Sequence, residues 1–438
     1  MRTTGVVVAV GLVVAAIAWS RCRDDRSGTP QGGASAPAPA PTRPAAADAA
    51  PADPQARGLR APIAAAHLGG GEVLVAALDV AAKGIKLQRI GARDEIVAER
   101  VVLEGVTWST DADLKVAASP DGGAVTWRGL RDGKLVRQLV LVGPDLKPSG
   151  APIDVAATSC ATKEAVYWTD GARVTGRPWK GGPLQIELPK EKDVSLLCGA
   201  RRAFAVLEEE DRTSLLALGD GGAPISVVRE SEFGEDEQRE LSEYTVGDDV
   251  GVVRLAVSGG LALREIAGGV AGPLRRLRTA IGKDDDVVAV DASPRQVVIV
   301  YTQDAPSADA GAGDGEGCTR VAALRVDRQS LEESSLVLSA GRCGHEVGPF
   351  FTGALGESVS VAWPERAGGA GKSRAPIVGL AHSVVAPAGS AASARVDQAA
   401  DALVDAGCDG TTCYAVALTR GDGADVTVPG LAKVLRYR

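Results

Sequence analysis

Three histidines, seven cysteines and a few clusters of carboxylates and glycines are where chemistry could reside in this 438-residue sequence. His67, His345 and His382 show no His-x-x-x-His or comparable ligand spacing, so imidazole acid–base work would have to be assembled from distant residues. Cys343-Gly344-His345-Glu346 sets a thiol beside an imidazole, an arrangement that can activate a nucleophile. Neighbours on a strand point to opposite faces, however, and Cys343 has a cysteine available as partner, so a structural role is expected. Gly371-Lys372-Ser373 lacks the upstream glycine of a phosphate-binding loop. Gly268-Gly269-Val270-Ala271-Gly272 lacks the strand and helix of a dinucleotide fingerprint and reads as a turn. Glu230–Glu243 and Asp284-Asp285-Asp286 concentrate carboxylates that suit calcium or a basic partner, but such runs are ordinarily solvated loops. Asp304–Glu316, with Asp309 and Asp314, departs from calcium-loop spacing. The sequence therefore assigns no catalytic residue, no metal site and no cofactor.

The elements that would have to position any such residue are short strands. Val, Ala and Leu dominate the apolar residues, while 54 glycines and 24 prolines supply tight turns, a mixture that favours many short strands over long helices. Ala117–Trp127 and Asp291–Tyr301 each read as a strand, a turn at Ser-Pro and a second strand ending in an aromatic; Ala165–Trp168 and Ser360–Trp363 end in the same way. Equivalent hairpins begin near Val73, Val125, Val166, Phe204, Val252, Val297, Val359 and Tyr414. Their intervals of 38 to 62 residues bracket the repeat of about 40–50 expected of four-stranded propeller blades.

The Val125-Thr126-Trp127 strand, the hairpin after it and the turn Pro144–Gly150 resemble bacterial secreted β-propeller-like repeat proteins. In those proteins a Val-x-Trp strand leads to a hairpin and an Asp-x-x-x-x-Gly-like turn. The resemblance covers roughly residues 60–438, includes no Gly-His to Trp-Asp signature, and implies architecture only. The expectation is an all-β ring of seven or eight blades, eight because eight hairpins are present, with tandem β-sandwiches as the alternative. Blades are covered on both faces, which accounts for continuous apolar runs such as Val297–Tyr301 and makes Trp127, Trp168, Tyr301 and Trp363 inter-blade packing residues.

The repeat register pairs the cysteines. Cys160 and Cys198 each lie six residues before the second strand of adjacent repeats, so a crosslink between neighbouring blades follows. Cys408 and Cys413 bracket a hairpin turn within disulfide reach, and Cys318 and Cys343 flank a strand pair of one repeat. The absence of Cys-x-x-Cys spacing argues against zinc, and three disulfides imply an oxidising compartment.

Arg2 followed by the apolar stretch Gly5–Trp19 makes residues 1–23 an export signal, with Ala16-Ile17-Ala18 as a cleavage pattern, or a short membrane anchor. Cys22 adds a lipidation alternative, and Arg21, Arg23 and Arg26 oppose export by the positive-inside rule. Residues 24–57 have the Ala/Pro-rich composition of a disordered tether, leaving 58–438 for the repeat domain. A formal net charge of −8 gives no footprint for nucleic acid, and 3% aromatics leave little for a stacking platform. The functional expectation is a non-catalytic, monomeric module in the periplasm or cell envelope, exported or tethered there, presenting a propeller face to a protein or envelope component. The N-terminal segment would contact the membrane if uncleaved. Its competitors are a hydrolase or lyase with a site in the central channel, and a small-ligand sensor using the same channel.

Overall fold

The computed structural model describes residues 63–437 apart from 80–81, 108, 110–111, 157–158, 171–172, 180–183, 188–192, 210–211, 219–224, 230–237, 269, 306–317, 340–341, 344–347, 367–376, 401, 409 and 419–431. The chain divides into Met1–Arg60 and Ala61–Arg438, and the described residues all fall in the second unit. The expected signal or anchor and the linker lie outside the described residues, as do His345, Gly371–Ser373 and most of the two acidic segments at 230–243 and 304–316. No helix among the described residues is long and apolar enough to cross a membrane.

Eight antiparallel sheets follow one another along the chain. Their first strands are Ile63–Gly69, Asp113–Ser119, Cys160–Ala161, Asp193–Cys198, Gln238–Val246, Asp286–Ala292, Phe351–Leu355 and Ala402–Cys408. The second strands are Glu72–Asp79, Gly122–Arg131, Ala165–Thr169, Ala203–Glu209, Asp249–Ala256, Gln296–Ala305, Ser358–Arg366 and Cys413–Leu418. Each of the eight hairpins expected from the sequence begins within one of these second strands. Turn chemistry sets the registers: Asp132-Gly133, both at positive φ, close the hairpin in which Arg131 faces Lys134.

Burial runs in a gradient across each sheet. The second strands are buried almost end to end, as in Val73–Leu78, Ala165–Thr169 and Cys413–Ala417. First strands are largely half-buried, and fourth strands such as Ile96–Glu104 and Glu333–Val337 are mostly exposed or half-buried. A second strand has a sheet neighbour on each edge and another sheet on each face, so both sets of its alternating side chains need to be apolar.

Alternate residues of one second strand serve two different seams. Val298 and Val300 pack with Val361 and Trp363 of the seventh sheet, whereas Ile299 and Tyr301 pack with Val253 and Leu255 of the fifth. The same arrangement seals the first and second sheets through Leu74, Leu78 and Trp127, and the second and third through Leu139 and Trp168. Tyr167 and Leu207 join the third and fourth, Phe204 and Val252 the fourth and fifth, and Ala362 and Leu435 the seventh and eighth. An eighth cluster packs Val416 and Val434 of the last sheet against Val73 and Val75 of the first. A linear row of eight sheets has seven seams; eight seams make a closed ring. The chain is thus an eight-bladed β-propeller, which excludes tandem sandwiches and settles the blade number at eight. Trp127, Trp168, Tyr301 and Trp363 are all buried and each packs on the preceding blade, as expected.

Two expectations are corrected. The acidic segment was expected to be a solvated loop, but Gln238–Val246 is the first strand of blade 5, because Leu241 and Tyr244 on it are claimed by neighbouring seams. The four-stranded pattern is not uniform: the second, fifth and sixth sheets each carry a fifth short strand, and blade 8 has three strands among the described residues, Ala402–Cys408, Cys413–Leu418 and Ala432–Tyr437.

Candidate functional site

The first strand of each blade is the innermost, because it packs beside the first strands of neighbouring blades: blade 1 lies between those of blades 2 and 8, and blade 7 between those of blades 6 and 8. Side chains left half-buried on these strands are therefore the ones that reach the channel. Most are small or apolar, which makes the charged ones conspicuous: Asp113 on blade 2, with the exposed Lys115 4.0 Å from it, Glu243 on blade 5, Asp291 on blade 6 and Asp405 on blade 8.

Asp291 follows the apolar run Val287–Val290, and the next strand, Gln296–Ala305, is buried over Val297–Tyr301. Burial pushes its carboxyl up to about 6; hydrogen bonds from the Ala292 amide (2.7 Å) and from the Thr352 side chain on blade 7 oppose the shift. Asp405 repeats the arrangement two blades on. Burial again raises it to about 6, against hydrogen bonds from the amides of Ala65 and Ala406 and the positive charge of Lys115. The Ala65 bond, 3.2 Å to Oδ2, crosses from blade 1 to blade 8, so this carboxylate also ties the ring-closing seam. Glu243 is raised by burial too, offset by its own backbone amide. Walls that exclude water penalise the ionised form of each acid, and only a few donors compensate.

A carboxyl that changes charge near pH 6 can donate or accept a proton at neutrality, and when ionised it can neutralise a cationic group. Among the described residues no three His, Cys, Asp or Glu side chains come together in a group able to hold a metal. His67 spends Nδ1 in its own turn, accepting a hydrogen bond from the Gly69 amide at 2.8 Å. His382 is buried beside Tyr437, ring centroids 4.6 Å apart, and desolvation lowers its pKa.

The cysteine expectations meet the structure directly. Cys160 and Cys198 form a disulfide with Cα atoms 5.8 Å apart, joining the inner strands of blades 3 and 4. Cys408 and Cys413 are bonded across the first hairpin of blade 8, Cα atoms 4.0 Å apart and directly opposed in register. Cys318 is disulfide-bonded, and its backbone stands opposite Cys343. These bonds point to an oxidising, extracytoplasmic environment. Of the acidic residues singled out from the sequence, Asp285 accepts hydrogen bonds from the Gly282 amide (2.9 Å) and the Gln303 side chain (3.1 Å), a local role at the start of blade 6.

Sequence reasoning passed over Lys115 and Asp405 and took Asp291 only as part of a repeat. A usable signal was present: a single charged residue within an otherwise apolar first strand, as in Val290-Asp291-Ala292 and Val404-Asp405-Ala406.

No protein-family model and no curated protein matches this sequence. Similar solved structures include Hsv2 of Kluyveromyces lactis, 9% identical, covering 86% of this chain and 98% of that one at a TM-score of 0.41. The WD40 domain of SCAP from fission yeast is 7% identical and covers 82% and 93% at 0.39. The Nup133 β-propeller domain of Vanderwaltozyma polyspora is 9% identical and covers 72% and 91% at 0.37. The architecture rests on the eight sheets and eight seams of the chain itself, and function must come from its own residues.

Proposed function

We propose that this chain is an exported, envelope-tethered propeller that binds a protein or another envelope component and catalyses no reaction of its own. The observation that carries the proposal is the division of labour within the fold. Eight apolar seams make a rigid frame, while the half-buried carboxylates Glu243, Asp291 and Asp405 stand on three separate inner strands, a spacing suited to recognition across the channel mouth. Two disulfides fit an extracytoplasmic location, and a Cys318–Cys343 bond would complete three. Residues 1–23 would target or anchor the chain and 24–57 would hold the propeller off the membrane as a monomer.

One observation favours an enzyme instead: Asp291 and Asp405 both titrate near 6, the range of a general acid. Crosslinking in intact envelopes with the wild type and an Asp291→Asn/Asp405→Asn variant separates the two readings. The binding reading expects one component captured by the wild type and depleted with the variant. Turnover of a substrate by the purified protein, lost in the same variant, would replace it with a channel hydrolase or lyase.

A further inference from the structure

A cleft of about 600 Å³ lies at the ring-closing seam, a size usual for small-ligand sites. Two hairpin tips form its walls: Gly70-Gly71 of blade 1 and Thr411-Thr412 of blade 8. Ala92, Arg436 and Tyr437 also line it.

Three features of this cleft go beyond simple packing. Arg436 is fixed on one side only: Nε donates to Asp94 Oδ1 at 3.2 Å and Nη2 to the Gly91 carbonyl at 2.7 Å. Its Nη1 instead lies 4.0 Å from the point where a Cβ on Gly71 would stand, turned toward the cleft wall, and donates no hydrogen bond among the described residues. A guanidinium has five donors, and one held in plane by two acceptors presents the remainder in a defined direction. Next, Gly70 and Gly71 both have positive φ, so the wall facing Arg436 carries no side chains and stays open. Finally, the opposite tip is clamped by Cys408–Cys413, a bond closing so short a loop that it constrains the unfolded chain far less than Cys160–Cys198 does. Its structural consequence is a rigid position for Thr411 and Thr412, the preorganisation that binding sites exploit.

We propose that this cleft binds a carboxylate-bearing ligand, with Arg436 as its anchor. Charge decides the class. The site offers one guanidinium whose charge is already offset by Asp94; its remaining donors form a planar fork that fits the two oxygens of one carboxylate, and the lining holds no further cation for a doubly charged phosphate. The carboxylate can belong to a small acid or to the free C-terminus of a partner chain. The proposal deepens the binding-module reading by giving it a site outside the channel, and it can fail while that reading stands.

The test is calorimetric titration of the full chain with hippurate, hippurate methyl ester, and an N-acetylated tetrapeptide in free-acid and C-terminally amidated forms. Saturable binding of either acid is expected, with its neutral counterpart about tenfold weaker or worse, since a hydrogen bond to a charged group is at stake. Binding by the small acid alone identifies a metabolite-like ligand, and binding by the peptide acid alone identifies a chain end. Arg436→Gln should weaken binding by about tenfold, and Arg436→Lys should recover part of it as a point charge without the planar fork. Asp94→Asn removes the competing carboxylate and should tighten binding, a gain that a purely structural role for Arg436 would not give. Equal binding of acid and neutral forms, undiminished binding by a folded Arg436→Gln protein, or no binding of either acid at millimolar concentration would overturn the proposal.

Discussion

Two seams of the ring are held by different means. Blades 3 and 4 are joined by the Cys160–Cys198 disulfide between their inner strands and by the apolar contact of Tyr167 with Leu207. Blades 8 and 1, which bring the two ends of the described chain together, have no covalent link among the described residues. Their junction consists of the Val73, Val75, Val416 and Val434 cluster, the bond from the Ala65 amide to Asp405, and the hold of Arg436 on Asp94 and Gly91. Closing that junction orders some 340 residues of intervening chain, the separation of Ala65 from Asp405. The entropic cost of such a loop grows only with the logarithm of its length, so a modest set of contacts can close the ring. The closing seam should therefore be the one that opens first, and the one most sensitive to side-chain chemistry and pH.

The largest effect is expected at the closing seam itself. Tyr414 is buried there against the ring of His67, centroids 5.8 Å apart, and Tyr414→Ala should cost about 3–5 kcal/mol. Denaturant unfolding followed by fluorescence measures it, and an unchanged midpoint would show that the seam is not packed as described.

Cys160→Ser comes next. Opening a loop of 38 residues removes about 4 kcal/mol in the chain-entropy model before strain is counted. The loss should loosen the junction of blades 3 and 4, and proteolysis under non-reducing conditions should find new cleavage there. Cys408→Ser opens a loop of 5 residues and should cost about 2 kcal/mol, with its structural effect confined to one hairpin tip. Equal losses for the two variants would mean that loop length is not what separates them.

The smallest effect is a pH dependence of stability, to which the closing seam contributes through Asp405. Asp405 titrates at about 6 in the folded protein against an ordinary 3.8, so between these values the native state keeps a proton that the unfolded chain has released. Stability therefore falls as pH rises from 3.8 to about 6 and is level in this respect above that. Asp405→Asn should remove that decline and raise stability at neutral pH by on the order of 1–2 kcal/mol, less than the full shift implies because the amide keeps only part of the carboxylate's hydrogen bonding to the Ala65 and Ala406 amides. Paired denaturation curves at acid and neutral pH are the check, and a variant with the same slope as the wild type would assign the decline to other groups. Asp291 is the second contributor, since it shows the same shift.

What the sequence revealed and what it hid divide along the same physical line. Second strands announce themselves, because burial on both faces demands unbroken apolar runs such as Val297–Tyr301, and the turns before them are marked by Ser-Pro and Gly-Gly. Cysteine pairing was legible for the same reason, since Cys160 and Cys198 hold one position in consecutive repeats. First strands were harder to read. They are half-buried and short, only Cys160–Ala161 in blade 3, and their alternation is interrupted wherever a side chain turns to the channel. This concealed Asp405, and it led the acidic stretch around Glu243 to be taken for a loop. The cleft at Arg436 was invisible for a different reason: it is built from residues 70, 92, 411 and 436, brought together only when the ring closes.

Hydrogen exchange on the full chain tests the closure of the ring most directly. The second strands of the first and last blades, Glu72–Asp79 and Cys413–Leu418, should exchange together in one shared opening, at rates well below those of unprotected amides. Persistent protection in blades 2 to 7 while both Glu72–Asp79 and Cys413–Leu418 exchange at unprotected rates in the native state would contradict a closed eight-bladed ring.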